Sequence, residues 1–250
     1  MTRSLPRSRK RAAILADRLG GSIVTLRDFE PASDIIWICH TDDALAETAG
    51  ILARRGNWKG RIVLHSSGAL TSDVLTPLRR AGAYTASLHP MMTFVPATEP
   101  SMEKIPFAVE GDRRAIAAAQ KIVKDLRGDI FQIKKRSKVL YHALGSFSSP
   151  MIVATLVTAE RVGKAAGLSQ QQIRKVMTRI LLQTIANYVQ RGPASAFSGP
   201  IKRGDVDTVR QHFLKLERVP GASDVYRALV RSALMDLPIA NRKKLSMLVR

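Results

Sequence analysis

The sequence has little cysteine and few aromatic residues, and each scarcity excludes a class of protein. Its single cysteine, Cys39, excludes an internal disulfide and a metal cluster held by cysteines. Cys39 ends the apolar run 35–39, and reactive thiols lie partly exposed in positive surroundings, so we predict a buried structural thiol. Aromatic residues make up 5% of the chain, which argues against stacking platforms for nucleic-acid bases.

Acidic residues are scarce as well. The chain has 20 Asp and Glu against 40 Lys and Arg, which gives a net charge of +20 at pH 7. Such a surplus can indicate a nucleic-acid-binding protein. The basic residues are spread along the whole chain, however, and the densest clusters, at 7–11 and 134–136, contain no aromatic residue. We therefore expect mainly a solvated basic surface, with steering of anionic ligands second and nucleic-acid contact last.

Long apolar runs are also lacking. None approaches the ~18 residues that span a bilayer, so we expect no membrane partner. The first 20 residues are rich in arginine, as in an organellar transit peptide. Ala12, Leu15, Ala16 and Leu19 nevertheless recur at helical spacing, which predicts an ordinary helix over 7–20.

The chain divides into two halves of different pattern. Up to about residue 135, short β-type runs alternate with helical stretches, which indicates crossover units and a mostly parallel α/β sheet. Beyond that point no strand pattern appears, so we predict a sheet domain over 1–135 and an all-α domain over 136–250. The predicted strands are 22–26, 34–40, 61–65, 83–89, 106–110 and 130–134, and the predicted helices between them are 43–55, 71–81 and 112–127.

Four features organise the predicted helical half. Pro150 lies inside an almost wholly apolar segment, 137–167, and should kink it. A helix that is apolar on nearly all sides must be covered by other helices, by the sheet domain or by a second subunit. The run from Ser169 to Gln172 is a capping box, and the helix that it opens should end at Gly192. Asp205 is placed to cap a helix over 206–217.

Two histidines end neighbouring predicted strands. His65 follows an apolar run and precedes Ser66, Ser67 and a glycine, and His89 ends the next run along the chain. Ligands of open α/β sheets bind outside the carboxyl ends of the strands, so both imidazoles should lie at one crevice. The structural alternative is that each ring is only hydrogen-bonded to the turn that follows it.

Five motifs occur in an order that resembles a known family. They are HSSGAL at 65–70, LHPMMTF at 88–94, FAVEGD at 107–112, Tyr141-His142, and SGPIKRGD at 198–205. Together they resemble the Rossmann-like oxidoreductases with a C-terminal helical domain of unknown function 2520, similar in layout to ketopantoate reductase, pyrroline-5-carboxylate reductase and 6-phosphogluconate dehydrogenase. The resemblance covers residues 7–240. It implies an NADP or NAD fold and a helical domain that closes the site and forms a homodimer, and it names no substrate.

One motif of that family is missing from this sequence. Members begin with a strand and a Gly-x-Gly-x-x-Gly turn that holds the pyrophosphate, whereas Gly20-Gly21 here is typical of a helix end. Two explanations stay open: the chain starts downstream of the family's usual start, or it is a degenerate copy that holds a dinucleotide weakly. In both cases we expect an incomplete sheet that lacks its first strand and leaves strand 34–40 at an edge.

The candidate site residues follow from the motifs and from side-chain chemistry. His142 and Ser146 are four residues apart and share one helix face. Arg203 lies in a loop that serves either as an anion clamp or as a shaped connector. Thr41 and Asp42 follow a strand at a position that the resemblance places beside the nicotinamide ribose, although an acidic residue there could simply cap the next helix. The predicted groups are His65, Ser66, Ser67 and His142 for catalysis, His89, Ser146, Asn187 and Arg203 for substrate binding, and Thr41, Asp42 and Arg3 for cofactor binding.

The predicted function follows from these groups. We predict a cytoplasmic, homodimeric NAD(P)-dependent oxidoreductase that acts on a small carbonyl or imine substrate at the cleft between its two domains. His65 and His142 would bind and protonate the substrate. The alternative is a non-catalytic ligand-binding or interaction protein derived from such an enzyme, which the missing glycine turn favours. No metal site is expected, because His65 and His89 have no companions at metal-ligand spacing.

Overall fold

The computed structural model describes residues 12–14, 16–18, 20–26, 28–95 and 101–249. Residues 12–14 and 16–18 are helical, and the rest of the helix predicted over 7–20, together with Arg3, lies largely outside the described residues. The chain divides into two compact units, Met1–Ser146 and Phe147–Arg250. The helix that carries His142 therefore belongs mostly to the first unit.

The first unit is built on a five-stranded sheet in the order β1-β2-β3-β4-β5. The strands are β1 (Ile35–Ile38), β2 (Ile62–His65), β3 (Tyr84–Pro90), β4 (Pro106–Gly111) and β5 (Asp129–Gln132). All neighbouring strands are parallel except the antiparallel pair β3 and β4. The predicted mostly parallel α/β class is thus confirmed, with β1 as an edge strand of the described sheet.

Helices cover both faces of this sheet, because successive strand residues point to opposite sides. The helices of this unit are α1 (Asp42–Leu52), α2 (Thr76–Arg80, after a 3-10 turn over Ser72–Leu75), α3 (Arg113–Asp125) and α4 (Lys138–Ser148). Val63 packs with Leu45 and Leu75 on one side, and Leu64 packs with Val123 on the other. Each side therefore has its own apolar core.

Two expectations about the first unit are wrong. Residues 22–26 form no strand, because the segment is exposed and turns at Thr25, whose hydroxyl binds the carboxylate of Asp28 at 2.5 Å. Cys39 is exposed rather than buried. Strand β1 ends at Ile38, so Cys39 lies just beyond the last paired residue, at the edge of the sheet.

The second unit is entirely helical over its described residues, as predicted. Its helices are α5 (Pro150–Ala165), α6 (Gln170–Ala196), α7 (Pro200–Arg203), α8 (Val206–Leu216), α9 (Ala222–Asp236) and α10 (Arg242–Leu248). The backbone leaves the helical conformation at Ser149, just before Pro150, and again at Gly192 with φ of 74°. Both bonds of the Ser169 capping box are present. Asp205 makes no side-chain cap, which corrects that expectation, because its carboxylate pairs with Arg203.

The stretch Lys135–Ala165 is more apolar than the sequence analysis allowed. By length and composition this one helical stretch of the described chain could cross a membrane. The expectation that the chain has no such run is therefore wrong, because the mean hydropathy of this stretch is high despite its few polar residues. The stretch is exposed rather than covered. Its most exposed apolar side chains are Val139, Leu140, Leu144, Phe147, Met151, Val153 and Val157.

Candidate functional site

A row of three polar side chains crosses the middle of the sheet. Ser87 of β3 is paired in register with His65 of β2 and with Glu110 of β4. Residues paired across strands project from the same face, so the three side chains lie side by side. All three are buried, with exposures of 3% or less. Polar groups in such a position need partners, and the partners define the site.

Lys138, the first residue of α4, supplies the central partner. Its side chain is fully buried, and its ammonium group donates a hydrogen bond to Ser87 Oγ. The Ser87 hydroxyl in turn donates to the Ser67 carbonyl at 3.3 Å. Burial lowers the pKa of Lys138 to about 8, although the charges of Glu110 and Asp42 act in the opposite direction.

Glu110 has partners of its own at the other end of the row. Its two carboxylate oxygens accept from Ser72 N at 2.6 Å and from Ser72 Oγ at 2.8 Å. This carboxylate therefore anchors the start of the 3-10 turn and leaves Ser87 as the hydrogen-bond partner of Lys138.

His65 is held as one tautomer. Ser67 N donates to His65 Nδ1 at 3.1 Å, so the ring proton of the neutral form lies on Nε2. Burial and then the charge of Lys138 lower the pKa of His65 to about 4, against a weaker effect of the Thr71 backbone. Its Nε2 is buried against the Thr71 backbone, which raises the pKa, but the geometry is outside that of a normal hydrogen bond. His65 is thus neutral at pH 7, and its Nε2–H lies against the Thr71 backbone rather than in an open site.

His89 lies within a cluster of rings at the end of β3. Its Nδ1 is 3.0 Å from the hydroxyl of Tyr141, and its ring centroid is 6.0 Å from that of His142. Burial, then Lys138 and then His142 lower the pKa of His89 to about 4. Burial raises the pKa of Tyr141 to about 12, so this phenol keeps its proton at pH 7.

Gly68 allows these rings to approach the turn after β2. A Cβ atom at this position would overlap His142 Cδ2 and would lie 2.8 Å from His89 Nε2. Any larger residue would displace at least one imidazole. The glycine of the HSSGAL motif is therefore required by a close approach between the turn and both rings.

The two serines of that motif have local partners. Ser66 Oγ accepts a hydrogen bond from Trp37 Nε1 at 2.7 Å and lies 4.0 Å from Cys39 Sγ. Ser67 Oγ accepts from the backbone nitrogens of Ala69 and Leu70 at 3.2 and 2.9 Å. Ser66 thus ties the turn to the end of β1, and Ser67 closes the turn itself.

Thr41 and Asp42 lie after β1, at the start of α1. The Thr41 side chain makes no capping bond to the helix; it bonds Asp43, which holds the pKa of that carboxyl below its usual range. Asp42 is exposed, yet its charge raises the pKa values of His65, His89 and Lys138. Its carboxylate is therefore electrostatically part of the cluster.

The remaining predicted residues divide between the two units. Ser146 is half-buried one helical turn after His142 on α4. Asn187 belongs to the second unit, where its Oδ1 accepts from Gln183 Nε2 at 3.1 Å. Arg203 is exposed there, and its Nη2 lies 2.7 Å from Asp205 Oδ2. The expected anion clamp thus has its guanidinium already paired with a carboxylate.

Sequence reasoning missed Lys138, Ser87 and Glu110 as members of the site. A usable signal was present in β3, where Thr85, Ser87 and His89 alternate with apolar residues and so mark a polar face. Lys138 gave no such signal, because a lysine at the start of a helix is ordinarily solvated. Its burial depends on where α4 packs against the sheet.

The described residues fit part of a nicotinamide dinucleotide site. Thr41 and Asp42, which follow β1, suit the ribose of the nicotinamide, and the rings that pack on Gly68 place polar groups at the neighbouring strand ends. A glycine turn that would hold the pyrophosphate is not found after any strand of the described ranges. The fit therefore concerns the nicotinamide end alone.

The fold and the sequence patterns together define a Rossmann-like protein with a C-terminal helical domain. The profile of a Rossmann-like domain matches residues 6–90, and that of the domain of unknown function DUF2520 matches residues 105–233. Because the second match covers 129 of the 250 residues, the protein belongs to the DUF2520 family, as the motifs indicated.

Solved structures of similar fold come from several bacteria. Protein TM1727 from Thermotoga maritima shares 23% identity over 96% of this chain and 89% of its own, with a TM-score of 0.71. BF3122 from Bacteroides fragilis, a proposed NADP oxidoreductase, shares 20% identity over 89% of this chain and 84% of its own, with a TM-score of 0.72. An imine reductase from Myxococcus stipitatus in complex with NADP+ shares 15% identity over 96% of this chain and 90% of its own, with a TM-score of 0.63. These likenesses establish a shared fold; no curated protein matches the sequence.

Proposed function

We propose that this protein is an NAD(P)-dependent oxidoreductase that reduces a small carbonyl or imine compound at the cluster around Gly68. The observation that carries the proposal is the convergence of His65, His89, Tyr141 and His142 at the carboxyl ends of β2 and β3. Ligands of Rossmann-like sheets bind at that edge. The shared fold with an NADP+-bound imine reductase supports the same cofactor class.

The nicotinamide, when bound, supplies the hydride, and the protein supplies orientation and proton control. Asp42 would accept hydrogen bonds from the ribose, and the imidazoles that pack on Gly68 would contact the nicotinamide. The half-buried Tyr141 hydroxyl would donate a hydrogen bond to the carbonyl oxygen or imine nitrogen of the substrate, whereas His65 is fully buried and would act by holding the turn through its bond from Ser67 N. The tyrosine donor stabilises the charge that develops on the substrate atom.

Proton delivery falls to the ring cluster in this proposal. His142 is exposed and lies beside His89, so it can take a proton from water and pass it to the reduced oxygen or nitrogen. Tyr141 keeps its proton at pH 7 and orients His89 through Nδ1. The substrate is therefore held by a neutral donor on one side and protonated from the solvent side.

Assembly belongs to the same proposal. Apolar side chains are exposed along α4, α5 and α6, including Phe147 at 74% and Val189 at 76%. Exposed apolar side chains in such number usually mark an interface. We propose that it is covered in a homodimer formed through the helical domain, in the cytoplasm.

Calorimetry and turnover assays test the function directly. The purified protein should bind NADPH or NADH weakly, because it lacks the glycine turn that holds the pyrophosphate, and should oxidise it in the presence of ketones, 2-oxo acids or cyclic imines. His142→Ala should reduce kcat/KM at least about tenfold, whereas the exposed His212→Ala of the second unit should not. Cofactor binding without turnover on any compound class would favour the non-catalytic alternative, and absence of binding would contradict the proposal.

A further inference from the structure

Lys138 has a position that substrate binding alone does not explain. Its side chain is fully buried, and its hydrogen-bond partner is the neutral Ser87 hydroxyl. It forms no ion pair within 4.0 Å with a carboxylate of the described residues. A buried ammonium group without such a pair costs stability, so a neutral residue would pack more favourably there.

The sheet register places this charge between two histidines. Ser87 is the register partner of His65 on β2, and it precedes His89 by two residues on β3. Side chains at these positions share one face of the sheet. The ammonium group of Lys138, which is bonded to Ser87 Oγ, therefore lies on the same face of the sheet as both imidazoles. Ser87 is adjacent to each histidine on that face, across the strands for His65 and along β3 for His89.

We infer that Lys138 is a positioning residue of the candidate site: fixed on Ser87 between His65 and His89, its ammonium group docks α4 and opposes the protonation of both rings. The benefit of this arrangement rests on the proposed function. A neutral imidazole can form a hydrogen bond with a substrate without adding a positive charge to the site, whereas an imidazolium ring would add one. The geometry of the arrangement is independent of any substrate.

The electrostatic role follows from the charges that surround the two rings. A positive charge beside an imidazole opposes its protonation. Burial is the largest effect against protonation of both His65 and His89, and the charge of Lys138 is the second on each. Asp42 acts in the opposite direction on both rings, and the charge of His89 adds to that of Lys138 on His65. Glu110 faces Lys138 from β4, but its oxygens are bonded to the 3-10 turn. Besides Lys138, His142 on α4 and burial act in the same direction on His89.

The docking role follows from helical spacing. Lys138, Tyr141 and His142 are at positions i, i+3 and i+4 of one helix, so they share one face. The bond from Lys138 to Ser87 fixes that face on β3. Tyr141 and His142 then meet His89 one turn further along the helix.

Histidine NMR on the intact protein tests the inference without cofactor or substrate. Lys138→Met removes the charge and retains an apolar chain of similar length, a type of change that buried sites often tolerate. Lys138→Arg retains the charge, Ser87→Ala removes the anchor alone, and Lys124→Met, an exposed lysine of α3, is the matched control. Assigned ring signals of isotope-labelled histidines are followed against pH.

We expect the titration midpoints of His65 and His89 to rise by about one pH unit in Lys138→Met. They should stay near the wild-type values in Lys138→Arg and Lys124→Met. In Ser87→Ala, nuclear Overhauser contacts between the rings of His89 and His142 should weaken. Unchanged titration midpoints of His65 and His89 in a folded Lys138→Met protein would overturn the inference. If Lys138→Met does not fold, a raised midpoint of either histidine in Lys138→Arg would overturn it instead. Failure to bind NADPH would contradict only the proposed function.

Discussion

Gly68 and His142 are in such close contact that a methyl group on the glycine would overlap the imidazole ring. The first belongs to the turn after β2 and the second to α4, 74 positions further along the chain. Their contact fixes the distance between the strand end and the helix, and with it the room left for a ligand.

Gly68→Ala should displace His142 and His89. Overpacking of this kind costs about 1–3 kcal/mol of unfolding free energy. We also expect a loss of at least about tenfold in nicotinamide affinity by calorimetry, because misplaced groups no longer fit the ligand. Gly50→Ala in α1 is the control, since a Cβ there has no heavy atom within 4 Å. Equal affinity in both variants would show that the ring positions do not matter for binding.

His65→Ala and His142→Ala should differ in stability. The buried His65 accepts from Ser67 N, and losing that partner costs about 1–3 kcal/mol and lowers the melting temperature. His142 is exposed, so its removal should change the melting temperature little while reducing turnover. Differential scanning calorimetry with NADPH oxidation assays separates the two effects. A large loss of stability in His142→Ala would assign it a structural role.

The free energy of unfolding should fall as pH drops from about 6.5 to about 4. His65 and His89 have pKa values of about 4 in the folded protein and about 6.5 when unfolded. In this window the unfolded state binds more protons, so stability is lost on acidification. Urea unfolding at pH 7.5, 6.0 and 5.0 measures the slope. His65→Asn should flatten it, whereas His212→Asn should not.

Glutamate on the exposed apolar face of α6 should disrupt assembly. Leu182, Ile185 and Val189 are exposed and recur at helical spacing. If they are covered in a homodimer, Ile185→Glu should convert it to a monomer, as measured by light scattering after size-exclusion chromatography. Met235→Glu on α9, also an exposed apolar position, is the control. A monomeric wild-type protein would contradict the dimer proposal.

Binding to generic duplex DNA should be weak at physiological salt and should fall steeply as salt rises. The net charge of +20 attracts phosphates, but binding of this kind depends on counterion release and carries no sequence preference. Fluorescence anisotropy at 50 and 200 mM salt, with two unrelated duplexes, tests this. Sequence-preferring binding that persists at high salt would favour a nucleic-acid partner over a solvated basic surface.

Local sequence patterns were sufficient for the types of element and for some of their ends. Short apolar runs that end in a histidine identified β2 and β3, so His65 and His89 could be placed at neighbouring strand ends. The Ser169 capping box and the break at Gly192 were also predictable, because each depends on residues within one helical turn. The run 22–26 shows the limit of this reasoning: β-type composition makes a strand only where a neighbouring strand pairs with it.

The tertiary structure alone decided which side chains meet. The burial of Lys138 on Ser87, the exposure of Cys39 and the contact of Gly68 with His142 all depend on residues far apart in sequence. Sheet register aligned His65, Ser87 and Glu110 in one row, and packing placed α4 over it. Periodicity within a segment specifies which face is apolar, whereas register and packing are set by long-range contacts that no single segment contains.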